Sequence, residues 1–255
     1  MELDVDIAAR PTTSAFLRRQ LGFPRVRQAW VTKRARVASL FEAGGVAGPV
    51  EVYFRVFKRE QELEVWARGE GERRFVRLQT YPVCQVSGDL GPKRKEGDRQ
   101  IPEGFYTIDV LNPRSEYHLS MRVDYPNAVD RARGRTGSLG GDIFIHGGCS
   151  TIGCVPVTDE WIEELYLIAI EARESGQRRI PVHIFPTRLD DAGLDWLRDR
   201  YGEDHADFAF WENLQDGYAL FERTRTLPSI APERDHYVIR SPPARPLGRA
   251  LGDPR

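Results

Sequence analysis

The spacing of apolar residues changes character along the chain and divides it into elements. Between Pro11 and Ala43, Phe16, Leu17, Leu21, Val26, Trp30, Val37 and Leu40 recur at intervals of three to four, which predicts helix. Gly44, Gly45, Gly48 and Pro49 end that pattern. Alternation replaces it at Val50–Phe57, where Val52, Phe54 and Val56 mark one face of a strand. Further strands are predicted at Leu63–Ala67, Phe75–Val83 and Gly104–Leu111. Cys84–Glu96 reads as a long surface loop, and Lys93 and Arg94 within it as parts of a solvated turn. Asn112–Asp142 is weakly periodic and long, the kind of loop that often carries function.

Asp142–His146 has the composition of a buried strand and runs into a glycine-rich turn. Thr158 then caps a helix in which Ile162, Leu165, Ile168 and Ala169 keep helical spacing. Pro181–Phe185 is a strand, and helices follow at Asp190–Arg200 and Ala206–Arg223. The tail from Arg240, with its prolines and arginines, is expected to be disordered. The sum is an α+β, β-rich fold with flanking N- and C-terminal helices. The expected divisions are a helical extension over 1–49, a β core over 50–188, a helical segment packed on it over 189–239, and a tail over 240–255.

Composition mainly excludes. The 255 residues, 40% hydrophobic and 29% charged, form an ordinary globular mixture that rules out a collagen or a mostly disordered chain. No apolar stretch is long enough for a transmembrane helix. A net charge of −1 supplies no global attraction for nucleic acid. Met1–Arg10 shows no apolar signal core, which by itself points to the cytoplasm. Three cysteines, Cys84, Cys149 and Cys154, are too few and too odd in number for a disulfide framework. Cys84, after an aromatic strand, reads as a small buried hydrophobe.

One segment stands out: Ile145-His146-Gly147-Gly148-Cys149-Ser150-Thr151-Ile152-Gly153-Cys154. A strand end delivers a histidine, and a glycine-rich loop delivers a cysteine shortly before a helix. A thiol, with an ordinary pKa of about 8.5, needs a basic neighbour to become a nucleophile near neutral pH. A histidine within reach supplies one and can return the proton to a leaving amine. Gly153 allows a sharp turn that could aim its N–H and that of Cys154 at an oxyanion. Three other readings compete: a purely structural Cys, a zinc site built on His146, Cys149 and Cys154, and a Cys149–Cys154 disulfide.

At these residues the chain resembles the YkuD-type L,D-transpeptidase catalytic domain, in its YafK-like murein branch. The resemblance rests on His146-Gly147 and Ser150-Thr151-Ile152-Gly153-Cys154. It extends through Ser87-Gly88-Asp89-Leu90-Gly91-Pro92-Lys93, Tyr117-His118-Leu119-Ser120, Tyr125-Pro126-Asn127 and Phe210-Trp211-Glu212-Asn213-Leu214, covering about residues 50–240. It implies a β-rich, sandwich- or barrel-like core. It also implies Cys154 as nucleophile, His146 as base and the Gly147 carbonyl as orienter of the imidazole. The implied substrate is a peptidoglycan stem peptide, attacked to expel D-alanine through a thioester. Some branch members look like hydrolases that detach a lipoprotein from murein. No metal or organic cofactor is implied, and the implied location is the periplasm or cell envelope. Two departures stand out: Ile152 holds a place where the wider family often has His, and Val155-Pro156-Val157 lacks the family's usual Arg or Asn.

His118, Tyr125, Asn127, Arg133, Arg135 and Ser150 are the candidate substrate-binding residues. Arg133 and Arg135 could grip a peptide carboxylate by paired hydrogen bonds; solvated loop arginines are the alternative. His118 could line the donor groove or be a structural histidine beside a strand. His183, in an alternating strand, reads as structural, and Trp196 and Trp211 as core.

Overall fold

The structure is a computed structural model, and it describes residues 14–134 and 137–242. Its strands are β1 (Val50–Phe57), β2 (Glu62–Gly69), β3 (Val76–Pro82), β4 (Gly104–Asn112), β5 (Ser120–Val123), β6 (Phe144–His146), β7 (Val155–Pro156) and β8 (Ile180–Phe185). A terminal pair, β9 (Ser229–Glu233) and β10 (His236–Arg240), forms its own hairpin. The helices are α1 (Ala15–Leu21), α2 (Pro24–Ala43), α3 (Ala128–Arg133), α4 (Asp159–Glu174), α5 (Asp191–Tyr201) and α6 (Phe208–Thr224).

The alternation in β1 has a structural reason on each face. Val52, Phe54 and Val56 join a core shared with α1, α2 and α4, while Tyr53 and Phe57 face residues of α5 and α6 on the other side. A strand covered on both faces belongs inside a sheet. β1 indeed pairs with β2 antiparallel and with β8 parallel, within one curled eight-stranded sheet of order β3-β2-β1-β8-β4-β5-β6-β7. This is the α+β, β-rich core expected from the sequence, with the early helices on one face and the late ones on the other.

Helix α4 follows the capping rule: Thr158 Oγ1 accepts from Trp161 N–H at 3.3 Å, and Asp159 and Glu160 occupy the first turn. It packs on α2 and across β1, β5 and β6, fixing the sheet end that carries His146.

Four differences from the sequence reading have local causes. The helix expected up to Ala43 is two helices, because Gly22 closes the first and Pro24 can begin a helix but not continue one. The long loop before Asp142 contains β5, too short for a periodic signal, and α3, started by the capping box of Asn127 and Asp130. The two-residue β7 carries no pattern of its own. The hairpin β9–β10 follows α6, and the expected tail lies, beyond Pro242, outside the described residues.

The loop after β3 is not a solvated turn. Lys58, fully buried at the end of β1, donates to Glu103 Oε1 at 2.8 Å and to the carbonyls of Gly91 and Ile101 at 2.9 and 3.1 Å. Glu103 in turn accepts from Gly91 N–H at 2.7 Å and from Trp211 Nε1–H at 2.8 Å. This closed network fastens the loop to the sheet and to α6. Lys58→Met leaves Glu103 charged and buried without its cation, a loss of about 3–5 kcal/mol. Urea unfolding of the variant checks this; a loss below about 1 kcal/mol would contradict the role given to the pair.

Candidate active site

The site forms where β6 meets β7. Their parallel register pairs Ile145 with Val155 and His146 with Pro156, and Val157 N–H donates to His146 O at 2.8 Å. Cys154 immediately precedes β7, and its thiol lies against the backbone of Asp142 and Phe144, at the start of the strand that ends in His146. Gly147 must be small: a Cβ there would lie 2.6 Å from Asp159 Oδ1 and 2.9 Å from Tyr117 O.

Hydrogen bonding fixes the histidine's tautomer. His146 Nδ1 lies 2.6 Å from the carbonyl oxygen of Gly147, which can only accept. Nδ1 therefore carries the proton, and in the neutral ring Nε2 is free to accept one. Burial pushes the imidazole below its ordinary pKa, against a weaker opposing effect of the Gly147 bond. The exposed ring of Tyr117 lies over it, with centroids 4.6 Å apart.

Cys154 is a free, half-buried thiol. Burial pushes its pKa up and Asp142 adds to this, while a backbone hydrogen bond at Phe144 and the charge of Lys93 oppose it. Its Sγ faces Asp142 O at 3.5 Å. Burial thus disfavours the charged form of both the thiol and the imidazole.

The other two cysteines are joined. Cys84 and Cys149 form a disulfide with Cα atoms 5.5 Å apart. This corrects the reading of Cys84 as a small buried hydrophobe and of the cysteine count as an argument against a disulfide. It also removes the Cys149–Cys154 bridge and the zinc set, since Cys149 has no thiolate to offer. Cys84 sits beside the loop because its N–H donates to Pro156 O at 3.0 Å.

The Gly153 turn also differs from expectation. Its φ of +138° and the Gln100 carbonyl, 3.0 Å from a would-be Cβ, explain the glycine. However, the N–H groups of Gly153 and Cys154 donate to Thr151 Oγ1 at 3.1 and 2.8 Å, so neither is aimed at an oxyanion. A threonine hydroxyl two or three residues upstream competes effectively for such donors.

The L,D-transpeptidase catalytic domain (YkuD) matches residues 51–184. The protein named "Putative L,D-transpeptidase YafK" in Escherichia coli K12 is 37% identical over 193 residues, covering 75% of this chain and 74% of that one. The chain belongs to the L,D-transpeptidase catalytic domain family. The namesake from Escherichia coli O157:H7 matches to the same extent. Among solved structures, the helical cell shape determining protein Pgp2 of Campylobacter jejuni aligns with a TM-score of 0.42 at 18% identity, over 78% of this chain and 80% of that one.

Within this L,D-transpeptidase-family domain, the remaining candidates separate. His118 Nε2 is bonded to Glu163 Oε1 at 2.9 Å, and its carbonyl accepts from Arg25, which fits the structural alternative. Tyr125 is buried with its hydroxyl on the carbonyls of Lys93 and Leu139, so its polar atom is spent inside the fold. Asn127 is also internal. It caps α3 through Val129 and Asp130 and donates to Phe105 O and Tyr237 Oη. Ser150 is exposed on the loop beside the disulfide. Arg133 lines a separate cleft, and Arg135 lies outside the described residues. Sequence reasoning missed Tyr117 and the 78%-exposed Ile152 as side chains flanking the site. The signal for Tyr117 was an aromatic residue in a quoted family motif; for Ile152 it was the departure from the family's His.

The disulfide closes 65 residues, for which loop-closure entropy gives about 4 kcal/mol. Cys84→Ser should melt well below the native protein, and added reductant should lower the native protein's melting temperature but not the variant's. Equal melting of the two oxidised proteins would contradict the bond's role.

Proposed function

We propose that this protein is a cysteine acyl-transfer enzyme of peptidoglycan, with Cys154 as nucleophile and His146 as its base. The supporting observation is the free thiol of Cys154, directly before β7, beside the strand that ends in an imidazole whose Nδ1–H is held by Gly147 O. The substrate class follows from family membership and from the relatives' name.

In the proposed reaction His146 Nε2 takes the thiol proton as Cys154 Sγ attacks the carbonyl of the residue preceding D-alanine. The tetrahedral intermediate collapses with cleavage of the C–N bond, and His146 returns the proton to the leaving amine. The thioester passes its acyl group to an amine, forming a cross-link, or to water, which is the hydrolase outcome. Cleavage of a murein–lipoprotein link is the same chemistry on another leaving amine. Gly153 acts here through the shape of the turn rather than as an oxyanion donor. A cell-envelope location fits both the substrate and the disulfide, since such bonds persist in oxidising compartments. Among the described residues no helix is long and apolar enough to cross a membrane.

Incubation with disaccharide-tetrapeptide muropeptides tests the reaction by mass spectrometry. Loss of D-alanine is expected, abolished in Cys154→Ala and reduced about 10²–10⁴-fold in His146→Ala. Cross-linked dimers would mark transfer and tripeptides hydrolysis; turnover by Cys154→Ala would refute the mechanism.

The base acts while neutral, and burial keeps it neutral to lower pH. The acid limb of kcat/KM should therefore have an apparent pKa below 6.5. A limb at or above 6.5 would contradict the desolvated base.

A further inference from the structure

The turn between β4 and β5 is held from two sides. From α2, Arg25 Nη1 donates to Ser115 O at 2.5 Å and to His118 O at 2.7 Å. Just before α2, the Phe23 ring lies under the Arg114 guanidinium, 5.1 Å from it. From α4, Glu163 Oε1 stands 2.9 Å from His118 Nε2. Within the turn, Tyr117 N–H donates to Ser115 Oγ at 3.1 Å. His118 has a φ of 64°, a conformation that residues other than glycine seldom adopt and that persists where neighbours over-determine it.

What these contacts fix in place is an exposed ring. Tyr117 is 48% exposed, so its own burial does not account for so many anchors. The ring lies against His146, with centroids 4.6 Å apart and planes tilted by 34°. This is the spacing of a favourable aromatic pair. The ring continues over the glycine-rich loop, where a Cβ on Gly148 would lie 3.6 Å from Tyr117 Cδ1. The Tyr117 carbonyl packs on Gly147, the residue whose own carbonyl holds His146 Nδ1. The imidazole thus has two supports, one at Nδ1 and one on a ring face.

We propose that Tyr117 is a positioning residue for His146, and that the N-terminal helices hold it there through Arg25. Covering one ring face keeps water off the imidazole and limits its rotation, so that Nε2 keeps one direction. α1 and α2 precede residues 51–184, which the family's domain matches, so the helical extension takes part in the site from outside that domain. This role rests on the reading of His146 as the base of Cys154 and adds what holds that base. The titratable groups around the ring are few. Asp159 of α4 faces Gly147, Cys154 precedes β7, Glu116 is exposed beside Tyr117, and His118 is bonded to Glu163 behind the turn. β5 and β7 set the uncharged Ser120 and Pro156 beside His146.

Titration of the His146 ring by nuclear magnetic resonance in the Cys154→Ala protein tests the contact without turnover. Tyr117→Ala should move the imidazole's pKa up toward 6.5, and Tyr117→Phe, which keeps the ring, should restore it. In the active protein, Tyr117→Ala should lower kcat for D-alanine release about 10-fold, and Tyr117→Phe should recover it to within about twofold. Arg25→Gln should lower kcat about 3–10-fold, yet by less than about twofold when Tyr117 is already Ala, because both act through one ring. Circular dichroism of each variant controls for folding. An unmoved His146 titration in Tyr117→Ala, or a Phe variant as impaired as the Ala variant, overturns the positioning role. Full additivity of Arg25→Gln and Tyr117→Ala overturns the part given to the N-terminal helices. Turnover by Cys154→Ala refutes the nucleophile-and-base reading instead, and leaves the titration result standing.

Discussion

The covalent link between Cys84 and Cys149 decides what the β6–β7 loop can do. It ties the glycine-rich loop to the chain leaving β3, and the Cys84 N–H on Pro156 O ties that chain to β7. The loop is therefore held at both strands and at its middle. With Cys149 consumed, Cys154 is the free thiol. Two of the three cysteines thus form the constraint, and the free thiol lies five positions further along the loop.

Around that constraint the charges are arranged to keep the resting site neutral. Burial disfavours the imidazolium and the thiolate alike, so no ion pair forms in advance. The Gly147 carbonyl fixes which ring nitrogen of His146 carries the proton, and the packing of Gly147 against Asp159 and Tyr117 fixes that carbonyl. The proposed chemistry thus depends on backbone geometry set by α4 and the sheet, more than on any surface charge. The buried Lys58–Glu103 pair extends the same logic outward, fastening the loop after β3 to the sheet through Gly91 and Ile101.

Much of this was legible in the residues. The alternation at Val50–Phe57 marked β1, and Thr158 with its acidic followers marked the start of α4. The His146 and Cys154 spacing pointed to one loop, because a strand end and a helix start bracket it locally. What stayed hidden was non-local or short. β5 and β7 have too few residues to show a period. The Cys84–Cys149 bond joins positions 65 residues apart, and nothing in either neighbourhood announces the other. Tyr125 and Asn127 looked like site residues because they share a loop with arginines, yet their polar atoms are spent inside the fold. Polar side chains in long loops are often there to satisfy buried backbone.

The most direct test of the account is a peptide map of the unreduced protein after alkylation of free thiols. A linked Cys84–Cys149 peptide pair is expected, with alkylation at Cys154 alone. Label on Cys149, or Cys154 found within a disulfide, would contradict it.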